Sequence, residues 1–96
     1  MIRNFKDKRT EDIYHGRSSK ETRSFPQMLL KSARRKLDLI KGTERLDDLK
    51  VPPGNRLHKL TGDLKGFWSI SINDQWRIIF LWEDGDALDV EITDYH

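Results

Sequence analysis

Apolar and polar positions alternate along the last third of the chain, Gly66 to His96, in three runs separated by short turn signals. Period-two alternation buries one face of a strand and wets the other, so this stretch predicts a meander of antiparallel strands. The pattern also selects a register. A three-residue connection at Asn73-Asp74-Gln75 sets Trp68, Ile70 and Ile72 beside Trp76, Ile78 and Phe80, whereas a two-residue one sends Ile72 to the opposite face. The same test at the second turn favours three residues with Gly85 left-handed, so that Ile78 and Phe80 share a face with Leu88, Val90 and Ile92. That face is the predicted core. The other carries Phe67, Ser69, Ser71, Arg77, Ile79, Leu81, Glu91, Thr93 and Tyr95. A single arginine among serines there suits a binding surface better than a second core.

Upstream the period changes. Leu30, Ala33, Leu37 and Ile40 recur at spacings of three and four, with Met28 and Leu29 widening the stripe, which predicts an amphipathic helix packed on Trp68, Ile78 and Phe80. Ser24-Phe25-Pro26-Gln27 reads as its capped start and Gly42 as its left-handed stop. Ile2 to Phe5 suits an edge strand, and Lys6 to His15 a brief helix resting on Ile13 and Tyr14. Gly16 to Ser24 is polar throughout and reads as an exposed connection with weak local order. Thr43 to Lys50 suits a helical turn carrying Leu46 and Leu49. Val51-Pro52-Pro53-Gly54-Asn55 forces an extended stretch and a turn. Arg56 to Leu60 is then the first strand of the sheet, although Leu57 and Leu60 cannot both face the core on a regular strand. The order predicts an α+β domain, with two helices and a helical turn on one face of a mainly antiparallel sheet of about four to five strands.

Length and composition narrow the class. Ninety-six residues suit a single domain, 1–96. With no cysteine the chain uses neither disulfides nor thiolate metal sites. No apolar run approaches a membrane span, and MIRNFKDKRT lacks the apolar segment of a signal peptide, so a cytoplasmic protein without membrane contact is expected. Net charge is +2 but unevenly spread: Met1 to Arg45 holds 13 basic and 6 acidic residues, Leu46 to His96 5 basic and 10 acidic. The basic half can attract a polyanion, with Lys31, Arg34, Arg35 and Lys41 on the outer faces of the long helix as the patch that meets phosphate.

Glycine-rich phosphate loops, paired histidines at metal spacing and nucleophile elbows are absent. What remains is a set comprising His58, Lys59, Arg77, Asp94, Tyr95 and His96. Cutting RNA without a metal takes a base for the ribose 2′-hydroxyl, a cation for charge developing on phosphorus, and an acid for the leaving 5′-oxygen. Imidazole serves either proton-transfer role and arginine presents a fixed fork to phosphate oxygens. Composition alone equally allows a surface histidine and a carboxylate and tyrosine that merely finish the sheet.

The stretches VPPGNRL, LTGDLKGFWSI, NDQWRIIF and WEDGDALDVEITDYH, taken in order, resemble the HigB branch of the RelE/ParE toxin superfamily, the plasmid maintenance system killer family. Ile2-Arg3-Asn4-Phe5-Lys6 resembles that family's opening strand and Phe25-Pro26 onward its long helix, so the similarity spans nearly the whole chain. The resemblance implies a RelE-like toxin of a type II toxin-antitoxin system, a ribosome-dependent endoribonuclease that enters the A site and cuts translated mRNA. It implies no metal or organic cofactor. Its implied partner is a HigA-type helix-turn-helix antitoxin, through which alone operator DNA is reached. By position the implied catalytic set is His58, Arg77, Asp94, Tyr95 and His96, with Lys59 and Lys65 joining the helix cations in RNA binding. Some members carry a lysine three residues after the histidine, where this chain has Thr61, and others lack that histidine. A toxin-like binding protein acting as corepressor, and a gyrase poison of the ParE type, share the fold.

Overall fold

The computed structural model describes residues 1–94. Three helices, α1 (Lys8–His15), α2 (Lys20–Arg23) and α3 (Leu30–Gly42), precede four strands, β1 (His58–Lys59), β2 (Trp68–Ser71), β3 (Trp76–Glu83) and β4 (Asp86–Asp94). The strands pair antiparallel in the order β1-β2-β3-β4. The N-terminal segment lies parallel to the outer edge of β4 through bridges at Ile2–Ala87 and Phe5–Val90, and beyond it the Thr10 hydroxyl accepts the Ile92 amide at 2.9 Å. The edge amides of β4 are thereby satisfied, which a buried strand edge requires.

The first turn has the expected register: Trp68 opposes Phe80 and Ile70 opposes Ile78, and the Ile72 amide donates to the Trp76 carbonyl. Asn73 closes this loop, its side-chain oxygen accepting the amides of Gln75 and Trp76. The second turn departs from expectation. Glu83 pairs with Asp86, leaving the two residues Asp84 and Gly85, both at positive φ, as the turn. The missing residue is restored by a β-bulge at Asp89, φ 50°, whose amide and carboxylate are both bonded by the Asn4 side chain. Leu88 therefore opposes Leu81 on the second face, and Ala87 takes the core position.

Ala33, Leu37 and Ile40 of α3 and Ile13 of α1 join Ile70, Ile78, Phe80, Val90 and Ile92 in one core, each at most 1% exposed. Phe25 packs edge-on against Trp76 at 4.9 Å, and the Arg9 guanidinium lies over that indole. Four other details correct the sequence reading. Residues 16–24 are ordered locally: Ser19 and Thr22 form a reciprocal capping box that starts α2, and Thr22 is buried. Ser24 consequently ends α2 rather than capping α3, while Gln27 bonds back to the carbonyls of Thr22 and Phe25 as a 3₁₀ turn leads into α3. Met28 points outward and is 87% exposed. Finally, Gly42 is not left-handed; Thr43 ends α3, its hydroxyl donating to the Leu39 carbonyl.

Candidate active site

The helices occupy only the face of Ile70 and Phe80. Alternate residues of the same strands present a second face, and the register arranges it in rows. Leu60, whose amide bonds Phe67, lies with Phe67, Leu81 and Leu88 in an apolar row. Next come His58, Ser69, Ile79 and Glu91. A third row holds Ser71, Arg77 and Thr93, with the Arg56 side chain reaching Ser71 from beyond the end of β1. One face thus runs from hydrocarbon to cation within three rows.

Arg77 lies on this face, away from α3, and its side chain folds back along β3 so that Nη1 is 3.4 Å from the Ser69 hydroxyl. Ser69 is the direct cross-strand partner of His58, so it stands between imidazole and guanidinium. Arg56 lies across the sheet in the same manner, Nη2 donating to Ser71 Oγ at 3.2 Å and to Asp74 Oδ1 at 3.0 Å. These prone arginines and the flanking apolar side chains leave Ser69, Ser71 and Ile79 buried, so the face is less bare than alternation alone suggests. His58 Nδ1 is 3.0 Å from the carbonyl oxygen of Arg56.

The other predicted residues divide. Asp94 opposes Trp76 at the end of β4 and accepts a hydrogen bond from Gln75 Nε2 at 3.0 Å, which sets it on the helix side of the rim. Tyr95 and His96 lie outside the described residues. Lys59 opposes Trp68 and rests 6.0 Å from the centre of its indole, again on the helix side, while exposed Lys65 follows the 3₁₀ turn Gly62–Leu64. Lys31, Arg34, Arg35 and Lys41 are exposed on α3 and so belong to the opposite surface from Arg77; Arg34 is in addition bonded to the Ile13 carbonyl at the end of α1. A surface cavity of about 360 Å³ also lies away from the site, bounded by Arg35, Lys36, Asp38, Leu39 and Pro52.

The acidic groups at the β3–β4 turn are held away from the two arginines, although Asp74 pairs with Arg56 at 3.0 Å. Asp86 and Glu83 are gathered at the far end of the β3–β4 hairpin by Arg3, at 2.9 and 3.5 Å, and Asp86 also meets the N-terminal amine. Hydrogen bonding to Arg3 holds the Asp86 carboxyl below its usual value. Glu91 is the exception on the site's own face, its carboxyl raised chiefly by burial and then by the nearby Asp7 charge. Among the described residues no group of three or more metal-ligating side chains comes together, and no helix is long and apolar enough to cross a membrane.

Sequence reasoning missed Arg56. Its place beside the site depends on a left-handed backbone, φ 48° and ψ 49°, that an arginine does not advertise.

The profile of the HigB-like toxins, described as RelE-like toxins of type II toxin-antitoxin systems, matches residues 3–96. Toxin HigB-1 of Vibrio cholerae is 42% identical over 88 residues, covering 92% of this chain and 90% of that one. Endoribonuclease HigB of Proteus vulgaris is 46% identical over 41 residues, covering 43% of this chain and 45% of that one. Among solved structures, a mutant of YafQ from E. coli shares the fold with a TM-score of 0.59 at 16% identity, covering 76% of this chain and 74% of that one. The YoeB-YefM complex from Staphylococcus aureus gives 0.55 at 14% identity over 100% and 98% of the respective chains. The chain belongs to the HigB family of RelE-like toxins, the toxin partners of antitoxins in type II toxin-antitoxin systems.

Proposed function

We propose that the chain is an endoribonuclease that cuts mRNA on the ribosome, and that the face bearing Arg77 and His58 does the cutting. The observation that carries this is the guanidinium of Arg77 folded onto Ser69, the residue directly opposite His58. In the reaction the ribose 2′-oxygen forms a bond to phosphorus as the P–O5′ bond breaks, leaving a cyclic phosphate and a free 5′-hydroxyl. His58 takes the 2′-hydroxyl proton, Arg77 balances charge on the non-bridging oxygens, and His96, assisted by Tyr95 and Asp94, returns a proton to the 5′-oxygen. No metal ion enters this scheme. Support for RNA as substrate comes from the Proteus vulgaris relative, an endoribonuclease by name. Lys31, Arg34, Arg35 and Lys41, on the far surface, are suited to the charge of ribosomal RNA rather than to the scissile phosphate, with Lys59 and Lys65 at the sheet's edge nearer the message. A HigA-type helix-turn-helix antitoxin is the proposed partner, and operator DNA is reached only through it.

The test is induction in cells followed by mapping of new mRNA 5′ ends. Wild type leaves cuts within translated codons; Arg77→Ala lowers cutting by about 10²-fold or more, the loss typical of removing one charge-stabilising donor. Growth arrest without new 5′ ends, or undiminished cutting by Arg77→Ala, overturns the proposal.

A further inference from the structure

We propose that Arg56 is a positioning residue whose left-handed backbone aims its own carbonyl at His58 Nδ1, fixing the imidazole with Nε2 free to take a proton. The inference rests on His58 serving as the proton-transfer group. A carbonyl oxygen can only accept, so the ring nitrogen 3.0 Å away carries the hydrogen. A proton on Nδ1 leaves the lone pair of the neutral ring on Nε2, the nitrogen at the far side of the ring from the chain.

The backbone conformation that presents the carbonyl is held from both sides. Before it, Asn55 is fully buried, its amide donating to the carbonyls of Leu49 at 3.1 Å and Val51 at 3.3 Å while its side-chain oxygen accepts from Lys36 of α3. The Arg56 amide bonds the Pro53 carbonyl at 3.1 Å. After it, the guanidinium is tied to Ser71 and Asp74 across β2. A non-glycine residue keeps a left-handed conformation only where its surroundings over-determine it, and such residues cluster at functional sites. Here the anchor runs from α3 through Asn55 to Arg56 and on to His58, so the helix layer reaches the opposite face of the sheet through this loop.

The experiment separates backbone from side chain. Arg56→Gly and Arg56→Asn accept the left-handed region, whereas Arg56→Val resists it; all three lack the guanidinium. Full-length ¹⁵N-labelled protein, co-produced with its antitoxin and then freed of it, is studied by long-range nitrogen–proton correlation, with the His58 signals identified by their loss in His58→Gln. Wild type, Gly and Asn variants should carry the His58 proton on Nδ1, and the Val variant should move it to Nε2 and cut mRNA about tenfold less than the Gly variant. A Val variant that folds and keeps the Nδ1 proton overturns the proposal. So does loss of that proton in the Gly and Asn variants, which test it even if the Val variant fails to fold. A moved proton with cutting equal to that of the Gly variant leaves the positioning role intact and overturns instead the proton-transfer role assigned to His58.

Discussion

Two faces of one sheet, built from alternate residues of the same strands, differ in what their side chains do. On the helix side Ile70, Ile78, Phe80, Val90 and Ile92 are fully buried and belong to one apolar core. On the other side Ser69, Ser71 and Ile79 are nearly as buried, but Arg77 lies against Ser69 and Arg56 against Ser71. Burial on the first side comes from apolar side chains packed on one another; burial on the second comes in part from arginine side chains laid over serines. Exposure alone would not tell the two apart.

The sharpest way to separate the faces is a pair of truncations on one strand. Phe80→Ala removes a fully buried ring from the helix side and should cost about 3–5 kcal/mol of folding stability. Arg77→Ala, three residues away on the other side, should shift stability by less than about 1 kcal/mol while nearly abolishing RNA cutting. Urea unfolding reads the first quantity. A loss for Arg77→Ala comparable with that for Phe80→Ala would mean that both faces are core.

The helix side was the more legible. Large apolar residues at period two leave one parity for each strand, so Ile70, Ile78 and Phe80 were placed correctly by alternation. The second turn shows where this fails. A two-residue turn followed by a one-residue bulge gives Val90 and Ile92 the same parity as a three-residue turn, and only Ala87 and Leu88, between turn and bulge, exchange faces. The bulge itself depends on Asn4, about eighty residues away in sequence, and no local pattern reports it. The place of Arg77 on the second face was legible, because a charged residue among serines stands out against the alternation. Arg56 was not, since its position depends on a loop anchored by Asn55 and Lys36.

A smaller effect marks the helix layer's own edge. Asp12 is 1% exposed between Lys8 at 2.6 Å and Arg17 at 3.4 Å. The hydrogen bond from Lys8, then that from Ser19, holds its carboxyl below the usual value. The folded state therefore binds this proton less tightly than the unfolded chain. Its contribution to stability is present above the unfolded carboxylate value, about 3.9, and is lost as pH falls through the lower folded value. Asp12→Asn should lower the thermal midpoint at pH 7, with the gap from wild type closing on acidification. A gap independent of pH would show that the charge is not what matters.

Glu91 gives the smallest effect and the opposite sign, and it lies on the other face. It opposes Ile79, and burial, reinforced by Asp7 and offset by Lys6 and Arg9, raises its carboxyl. Here the folded state binds the proton more tightly than the unfolded chain, so stability falls as pH rises from the unfolded value, about 4.3, through the folded one. At neutral pH the charged group is a cost to folding, and solvent screening keeps that cost below about 1 kcal/mol. Glu91→Gln should match wild type in urea midpoint near pH 4 and exceed it at pH 7. Among the described residues the helix side carries no such burden: its one buried carboxylate, Asp12, is matched by two cations. A Glu91→Gln variant no more stable than wild type at pH 7 would mean that Lys6 and Arg9 already compensate the charge, and the contrast between the faces would then rest on the arginines alone.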